Sequence, residues 1–337
     1  MKEKITFFYR KQRITGNFSI ENYFNEIIPH IKEKYEVKIV KMPFYSNGFI
    51  PRLFNILYTY YYQGEINHIT GDINYIAIAL NNNNSILTIH DLNLIKNSSF
   101  FKTKLYKYFW YRVPIKKSFF VTTVSEVTKN DLQFYLNLNH NKFYVIPVCI
   151  SNSFYKLDKP FNYAKPQILQ VGTASNKNLK NLILAIIGLN VELVIIGKLT
   201  RFYLDLIKIN NISFRLLDYP LTEIEIINEY NKADIISLIS TSEGFGMPIL
   251  EGNAIGRVVI TSNVSSMPFV AGDAALLVNP LSINEINNGL KLLISDEKIR
   301  NKFINNGYNN IKRFNSKEIA EKYLILYNQI KKSVNHV

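Results

Sequence analysis

A chain of 337 residues, 47% hydrophobic and 20% charged, is long enough for two packed domains and has the composition of a globular protein. Its single cysteine, Cys149, excludes a disulfide framework and any cysteine-based zinc site. The net charge of +14 is uneven: residues 1–150 hold 19 basic against 10 acidic side chains (+9) and the remainder 21 against 16 (+5), an excess that suits nucleic acid, an anionic membrane or phosphorylated ligands alike.

The opening apolar run, Ile5–Tyr9, stops at Arg10 and Lys11 and is too short for a signal peptide. It reads instead as the first of twelve short strands. The others in the first half are Val37–Val40, Ile66–Ile69, Ile86–Ile89, Phe119–Val124 and Phe143–Ile146. Ser151–Pro166, with Pro160 and Pro166 and little periodicity, reads as a linker between domains. Strands resume at Gln167–Val171, Glu192–Ile196, Phe214–Leu217, Ile235–Ile239, Val258–Thr261 and Ala275–Val278. Helical patterns of crossover length lie between most of them, so the alternation predicts an α/β protein with two parallel sheets. Leu182–Gly197 is apolar but broken by Asn190 and Glu192, and reads as helix end, turn and strand rather than a membrane span. Asn315–Lys332 reads as one closing helix.

The segment richest in chemistry is Ser240–Pro280. A strand runs into Thr241–Gly246 and then a helix from about Met247, with Pro248 in its first turn, where the missing N–H costs nothing. Gly244 and Gly246 allow a sharp turn and a close approach to a ligand. The free amides of a helix start form an anion site. Glu243 and Glu251, eight positions apart, flank that turn and could hold the hydroxyls of a sugar and a ribose while the amides face phosphate. The plainer reading is a Gly-loop of the kind any Rossmann-like domain carries, with Glu251 a solvated helix residue; the residues alone leave both open. His90, at the end of the strand Ile86–Ile89, reads either as structural or as a site residue, and Ser125 reads as a helix cap.

The Glu243–Glu251 pair forms an E-x7-E motif in the setting EGFGMPILE, which resembles family 4 of the retaining glycosyltransferases. The similarity continues through AIGRVVITSNVSSMPFVAGDAALLVNP. Upstream it includes DIISLISTSEGFG, LVIIGK and ILQVGTASNKNLKNLILAI, and in the first half TIHDLN and TTVSEVTKNDL. It spans most of the chain and is strongest over residues 167–280. The resemblance implies the GT-B architecture, two Rossmann-like domains facing across a cleft. Residues 1–150 would form the acceptor side and 167–314 the donor side, with the helix of 315–337 returning to the first domain. It further implies that Glu243, His90 and Lys177 are catalytic, Glu243 on the donor sugar and Lys177 on the diphosphate. Glu251 would hold the ribose. Gly172, Thr173, Gly244, Phe245, Gly246 and Met247 would complete donor binding, and Gly16 and Asn17 would line the acceptor side. Thr173 departs from the pattern, since many members carry arginine there; its hydroxyl or nearby amides would substitute. Phe269 replaces a frequent glutamate, and Val148-Cys149 a usual Asn-Gly.

The function implied is transfer of a hexose, mannose included, from a GDP- or UDP-linked sugar to a glycan or lipid-linked acceptor in bacterial surface polysaccharide assembly. The enzyme would be cytoplasmic or peripheral at the inner face of the plasma membrane. No Asp-x-Asp pair occurs in the chain, so lysine and helix-dipole neutralisation without an obligatory metal or other cofactor is expected. Between Leu92 and Ser125 there are seven basic residues and no acidic one, interleaved with aromatics that include Tyr108, Phe109 and Trp110. This stretch is either an interfacial membrane helix or an ordinary helix with packed aromatics and solvated lysines. Nucleic acid is not expected, because no binding module accompanies the charge. A GT-B-like nucleotide-sugar epimerase and a non-catalytic sugar-nucleotide-binding subunit are the competing readings. The first would need a carbon-acid base; the second fits poorly with an intact Glu243, Glu251 and Lys177.

Overall fold

The structure is a computed structural model that describes residues 2–12, 19–96, 100–138, 142–218 and 220–334. The chain divides into two compact units. Of the described residues, the first combines 2–12 and those from 19 to 149 with 316–334; the second holds those from 150 to 315.

The first unit contains β1 (Lys4–Tyr9), β2 (Glu36–Lys41), β3 (Ile66–Ile69), β4 (Ser85–Ile89), β5 (Phe120–Thr123) and β6 (Phe143–Val145), in the parallel order β2-β1-β3-β4-β5-β6. Strands covered on both faces read as continuous apolar runs, and β4 is buried at all five positions. Helices α1 (Ser19–Lys32) and α2 (Phe49–Tyr62) connect the first strands. The closing helix, Ser316–Val334, packs on α1 through a buried polar seam. Tyr327 Oη lies 2.6 Å from His68 Nδ1, whose Nε2 is 2.8 Å from Thr88 Oγ1. Tyr23 Oη donates to Tyr323 Oη at 3.1 Å, and Tyr35 Oη to Asn328 Oδ1 at 2.6 Å. Burial lowers the His68 imidazole to about 3, so the ring is neutral and bridges sheet to helix.

The second unit contains β7 (Gln167–Val171), β8 (Glu192–Ile196), β9 (Phe214–Leu217), β10 (Ile235–Leu238), β11 (Val258–Ser262) and β12 (Leu276–Val278), in the parallel order β12-β11-β10-β7-β8-β9. Its order reverses between β7 and β10, and crevices at the carboxyl ends of such strands are where ligands bind in open α/β sheets. The expected linker is not a free connection. Lys159 pairs with Asp234, whose Oδ1 also accepts from the Asn162 amide at 3.1 Å, and the Arg300 guanidinium lies 3.9 Å from the Phe161 ring centroid. The low periodicity of that segment reflects irregular backbone bound to the unit by side chains.

Helix Met247–Ile255 lies against β10 and β11 with Gly252 at the contact. A Cβ there would stand 2.9 Å from both Ile236 Cγ1 and Val259 Cγ2. These are branched residues of two central strands that cannot swing aside. The substitution Gly252→Ala is expected to destabilise the protein by about 1–3 kcal/mol through overpacking, read as a lower denaturant midpoint, despite alanine's better helix propensity.

Candidate active site

The loop between β10 and helix Met247–Ile255 is fixed by hydroxyls from the next turn of chain. Ser265 Oγ accepts from the Glu243 amide at 3.2 Å and donates to the Glu243 carbonyl at 2.9 Å; Ser266 Oγ donates to the Phe245 carbonyl at 2.7 Å. Gly246 closes the loop at φ +118°, a conformation that favours glycine, and starts the helix. Phe245 is buried and meets Phe314 edge-on at 5.6 Å, so its ring belongs to the core and only its backbone faces the loop. Met247 and Gly244 are partly buried beside it.

The Glu243 carboxylate takes two donors on one oxygen. Ser240 Oγ donates to Oε1 at 2.6 Å and Lys177 Nζ at 2.7 Å. Lys177 ends a 3-10 turn, Ser175–Lys177, beyond β7, and its stem crosses Gly172, where a Cβ would be 3.2 Å from Lys177 Cε. Gly172 sits at φ +88°. Asn176 ties this loop to the other: its Nδ2 donates to the Ser242 carbonyl at 2.9 Å and its carbonyl accepts from the Thr241 amide at 2.8 Å. The structure therefore brings Gly172, Lys177 and Glu243 together at the ends of two adjacent strands. The Thr173 hydroxyl has a partner of its own. Its proton goes to the Lys198 carbonyl at 2.7 Å, and its methyl packs over Gly197, where a Cβ would come within 3.1 Å.

Glu251 is one turn inside the helix and is not a solvated surface residue. Its Oε2 accepts from the hydroxyl of Tyr230, fully buried on helix Glu223–Lys232. Burial raises the Glu251 carboxyl to about 7, against the opposing pull of that hydrogen bond and of the nearby Lys177 charge. Tyr230, Ser265 and Ser266 were not singled out by sequence. The serines leave a trace in the hydroxyl-rich run Ser262–Ser266; nothing local marks Tyr230.

His90 belongs to the first unit, at the end of β4. Its Nε2 lies 2.7 Å from the Thr70 carbonyl, which can only accept, so Nε2 carries the proton and a neutral ring leaves the Nδ1 lone pair for a ligand. Burial lowers its pKa, partly offset by the Thr70 hydrogen bond and by Asp72 and Asp91. Gly71, at φ +126°, makes room for the ring: a Cβ there would stand 2.5 Å from His90 Cδ2. Gly16 and Asn17 lie outside the described residues. Ser125 caps helix Glu126–Leu136, accepting from the Thr128 amide at 3.1 Å. Cys149 is buried, and burial pushes its thiol up to about 12. Phe269 is stacked by the Arg313 guanidinium at 5.2 Å. Among the described residues no three His, Cys, Asp or Glu side chains gather as a metal-ligand set.

A helix start, a lysine and two carboxylates at the ends of β7 and β10 form a site for a ligand with both anionic and hydroxyl groups. Residues 153–310, within the second unit, match the family model described as "Glycosyl transferases group 1". An O-antigen chain mannosyltransferase of Salmonella typhimurium, RfbU, is 28% identical over 208 residues, 58% of this chain and 57% of that protein. The N,N'-diacetylbacillosaminyl-diphospho-undecaprenol alpha-1,3-N-acetylgalactosaminyltransferase of Campylobacter jejuni is 27% identical over 112 residues, 33% of this chain and 30% of that protein. The chain thus aligns with between about a third and somewhat over half of these relatives' length. The structure of Anabaena HepE in complex with UDP-glucose superimposes with a TM-score of 0.74 at 14% identity, covering 99% of this chain and 100% of that one. The fold is the GT-B fold.

A carboxyl near 7 would give Glu251 a pH signature were it to hold a diol. Only the carboxylate accepts from two hydroxyls, so affinity for a free nucleoside diphosphate should fall by up to about tenfold per pH unit below 7. Glu251→Gln should bind more weakly above pH 7 and lose that part of the slope. Calorimetry of both proteins between pH 5.5 and 8.5 checks it, since titration of the nucleotide itself is common to the two.

Proposed function

We propose that the chain is a retaining glycosyltransferase that moves a hexose from a GDP- or UDP-linked donor to a glycan or lipid-linked acceptor in bacterial surface polysaccharide assembly. The observation that carries this reading is the Lys177–Glu243 pair, with side-chain exposures of 20% and 14%, beside Glu251. A lysine paired with one carboxylate and near a second matches a diphosphate flanked by two polyols. Supporting it are the mannosyl and N-acetylgalactosaminyl transfer named for the two relatives and the UDP-glucose bound by the structural neighbour.

In the mechanism, the bond from the anomeric carbon to the diphosphate oxygen stretches and negative charge builds on the leaving group. Lys177 Nζ leaves Glu243 Oε1 for that charge, and the amides at the start of helix Met247–Ile255 add their partial charges. The Glu243 carboxylate, still held by Ser240, is released to accept from hydroxyls of the sugar. Glu251 accepts from the ribose hydroxyls, and Tyr230 fixes its rotamer. The departing phosphate takes the acceptor proton as the acceptor attacks from the same face, which gives retention. No step calls on a metal or cofactor. The reaction is placed at the cytoplasmic face of the membrane, where activated sugars meet lipid-linked acceptors.

Lys177→Ala should lower kcat by about 10²–10³-fold, the scale of losing one stabiliser of transition-state charge. Thermal unfolding is measured in parallel, because the change also removes the partner of Glu243. A folded Lys177→Ala protein with wild-type kcat/KM rejects the assignment. Sugar transfer from a panel of nucleotide sugars should run at the same rate in excess chelator; loss on chelation, restored by manganese or magnesium, rejects metal-free neutralisation.

A further inference from the structure

Helix α2 is apolar on both sides: Ile56, Tyr58 and Tyr62 are partly buried against the core. Its fully buried side chains, Asn55 and Thr59, are polar. Asn55 accepts from the Phe44 amide and donates to the Phe44 carbonyl and to Tyr75 Oη, and Thr59 donates to the Asn55 carbonyl. The solvent face is apolar: Phe49, Ile50, Leu53, Phe54, Leu57, Tyr60 and Tyr61 are between 44% and 80% exposed. Their spacing follows the helical repeat, so they form one stripe along the helix. Exposed apolar stripes of this kind mark an interaction surface.

Charge selects the partner. No Asp or Glu occurs from Val37 to Gly64, whereas Lys38, Lys41 and Arg52 do. The Arg52 guanidinium lies 5.1 Å from the ring centroid of Trp110, which ties α2 to the helical segment Tyr106–Arg112. That segment and its neighbour Leu105 expose Leu105, Tyr108 and Phe109 together with Lys104 and Arg112, inside the acid-free stretch Leu92–Ser125. A second copy would bring two basic faces together, and a basic protein partner would be repelled in the same way. An anionic bilayer supplies both an apolar interior and a negative surface.

We propose that α2, flanked by Tyr106–Arg112, docks the first unit on an anionic lipid bilayer, with the Phe49–Tyr61 stripe inserted below the headgroups. At 14 residues, about 21 Å, α2 lies in the interface plane rather than crossing it. No described helix is long and apolar enough to span a membrane. The inference stands on the first unit alone and is independent of the transferase reading.

The test is co-sedimentation of the full chain with vesicles of phosphatidylglycerol and phosphatidylcholine, and of phosphatidylcholine alone. The wild type should bind the anionic vesicles and release as salt rises. Leu53→Ser, Leu57→Ser and Tyr61→Ser together should weaken binding at least about tenfold without lowering the melting temperature, because all three side chains are exposed. Lys38→Gln with Lys41→Gln should reduce the salt dependence. A fluorophore on Leu57→Cys should shift to the blue with anionic vesicles. Nucleotide binding by the second unit should be unchanged in every variant, which separates failure here from failure of the donor site. A wild type that ignores anionic vesicles at low salt overturns the proposal, as does a concentration-dependent dimer that the serine substitutions dissolve.

Discussion

The approach of helix Met247–Ile255 to β10 and β11, possible only because residue 252 has no side chain, sets the position of the helix-start amides and of Glu251. With the helix axis fixed against two central strands, its first amides stand at the carboxyl end of the sheet and its second turn presents Glu251. The loop that enters it must then turn within a few residues, which demands a positive φ at Gly246 and hydroxyls from Ser265 and Ser266 to hold the carbonyls the turn leaves without partners. Gly307 repeats the device on the other side, where a Cβ would stand 3.1 Å from Asn253 Nδ2. The helix is thus seated between sheet and neighbouring helix by two glycines.

The polar groups of this site are satisfied by one another. Lys177 holds Glu243, Tyr230 holds Glu251, and Asn176 joins the two loops. A ligand therefore exchanges partners rather than finding bare charges, and the site remains ordered while it waits. The two carboxylates are not equivalent. Glu243 has a lysine and a serine on one oxygen, whereas Glu251 has a neutral hydroxyl with the Lys177 charge nearby, and there burial dominates and raises the carboxyl. Environment, not residue type, divides the two glutamates of the motif.

All twelve strands were legible in the sequence to within one residue at each end, because parallel strands covered on both faces leave apolar runs between crossover helices. The site was legible where it is local: Glu243, Gly246 and Glu251 fall within nine residues, and Gly172 and Lys177 within six. What depends on another element was not. Tyr230 acts on Glu251 from a different helix, and the Thr173 hydroxyl donates to the Lys198 carbonyl, 25 positions away. The Ser151–Pro166 segment looked like a linker because side chains, not a periodic pattern, hold it down. α2 is apolar nearly all round, so periodicity does not tell that Asn55 and Thr59 are fully buried with Ile56, Tyr58 and Tyr62 beside them while Phe49, Leu53 and Leu57 stay exposed.

The first unit is finished by a helix that follows the whole second unit in the chain. Tyr23 meets Tyr323 across 300 positions, a loop whose closure entropy would be on the order of 5 kcal/mol for a flexible chain. The second unit removes most of that cost, because its two ends are joined: the Ile150 amide donates to the Phe314 carbonyl at 3.2 Å. Once it has folded, the chain leaves where it entered, and the closing helix is delivered as if a short turn separated it from Cys149. During synthesis the contiguous second unit can therefore complete itself first, while the interrupted first unit keeps its His68 and Tyr23 seam open until the helix Ser316–Val334 follows. That order inverts the usual precedence of amino-terminal domains.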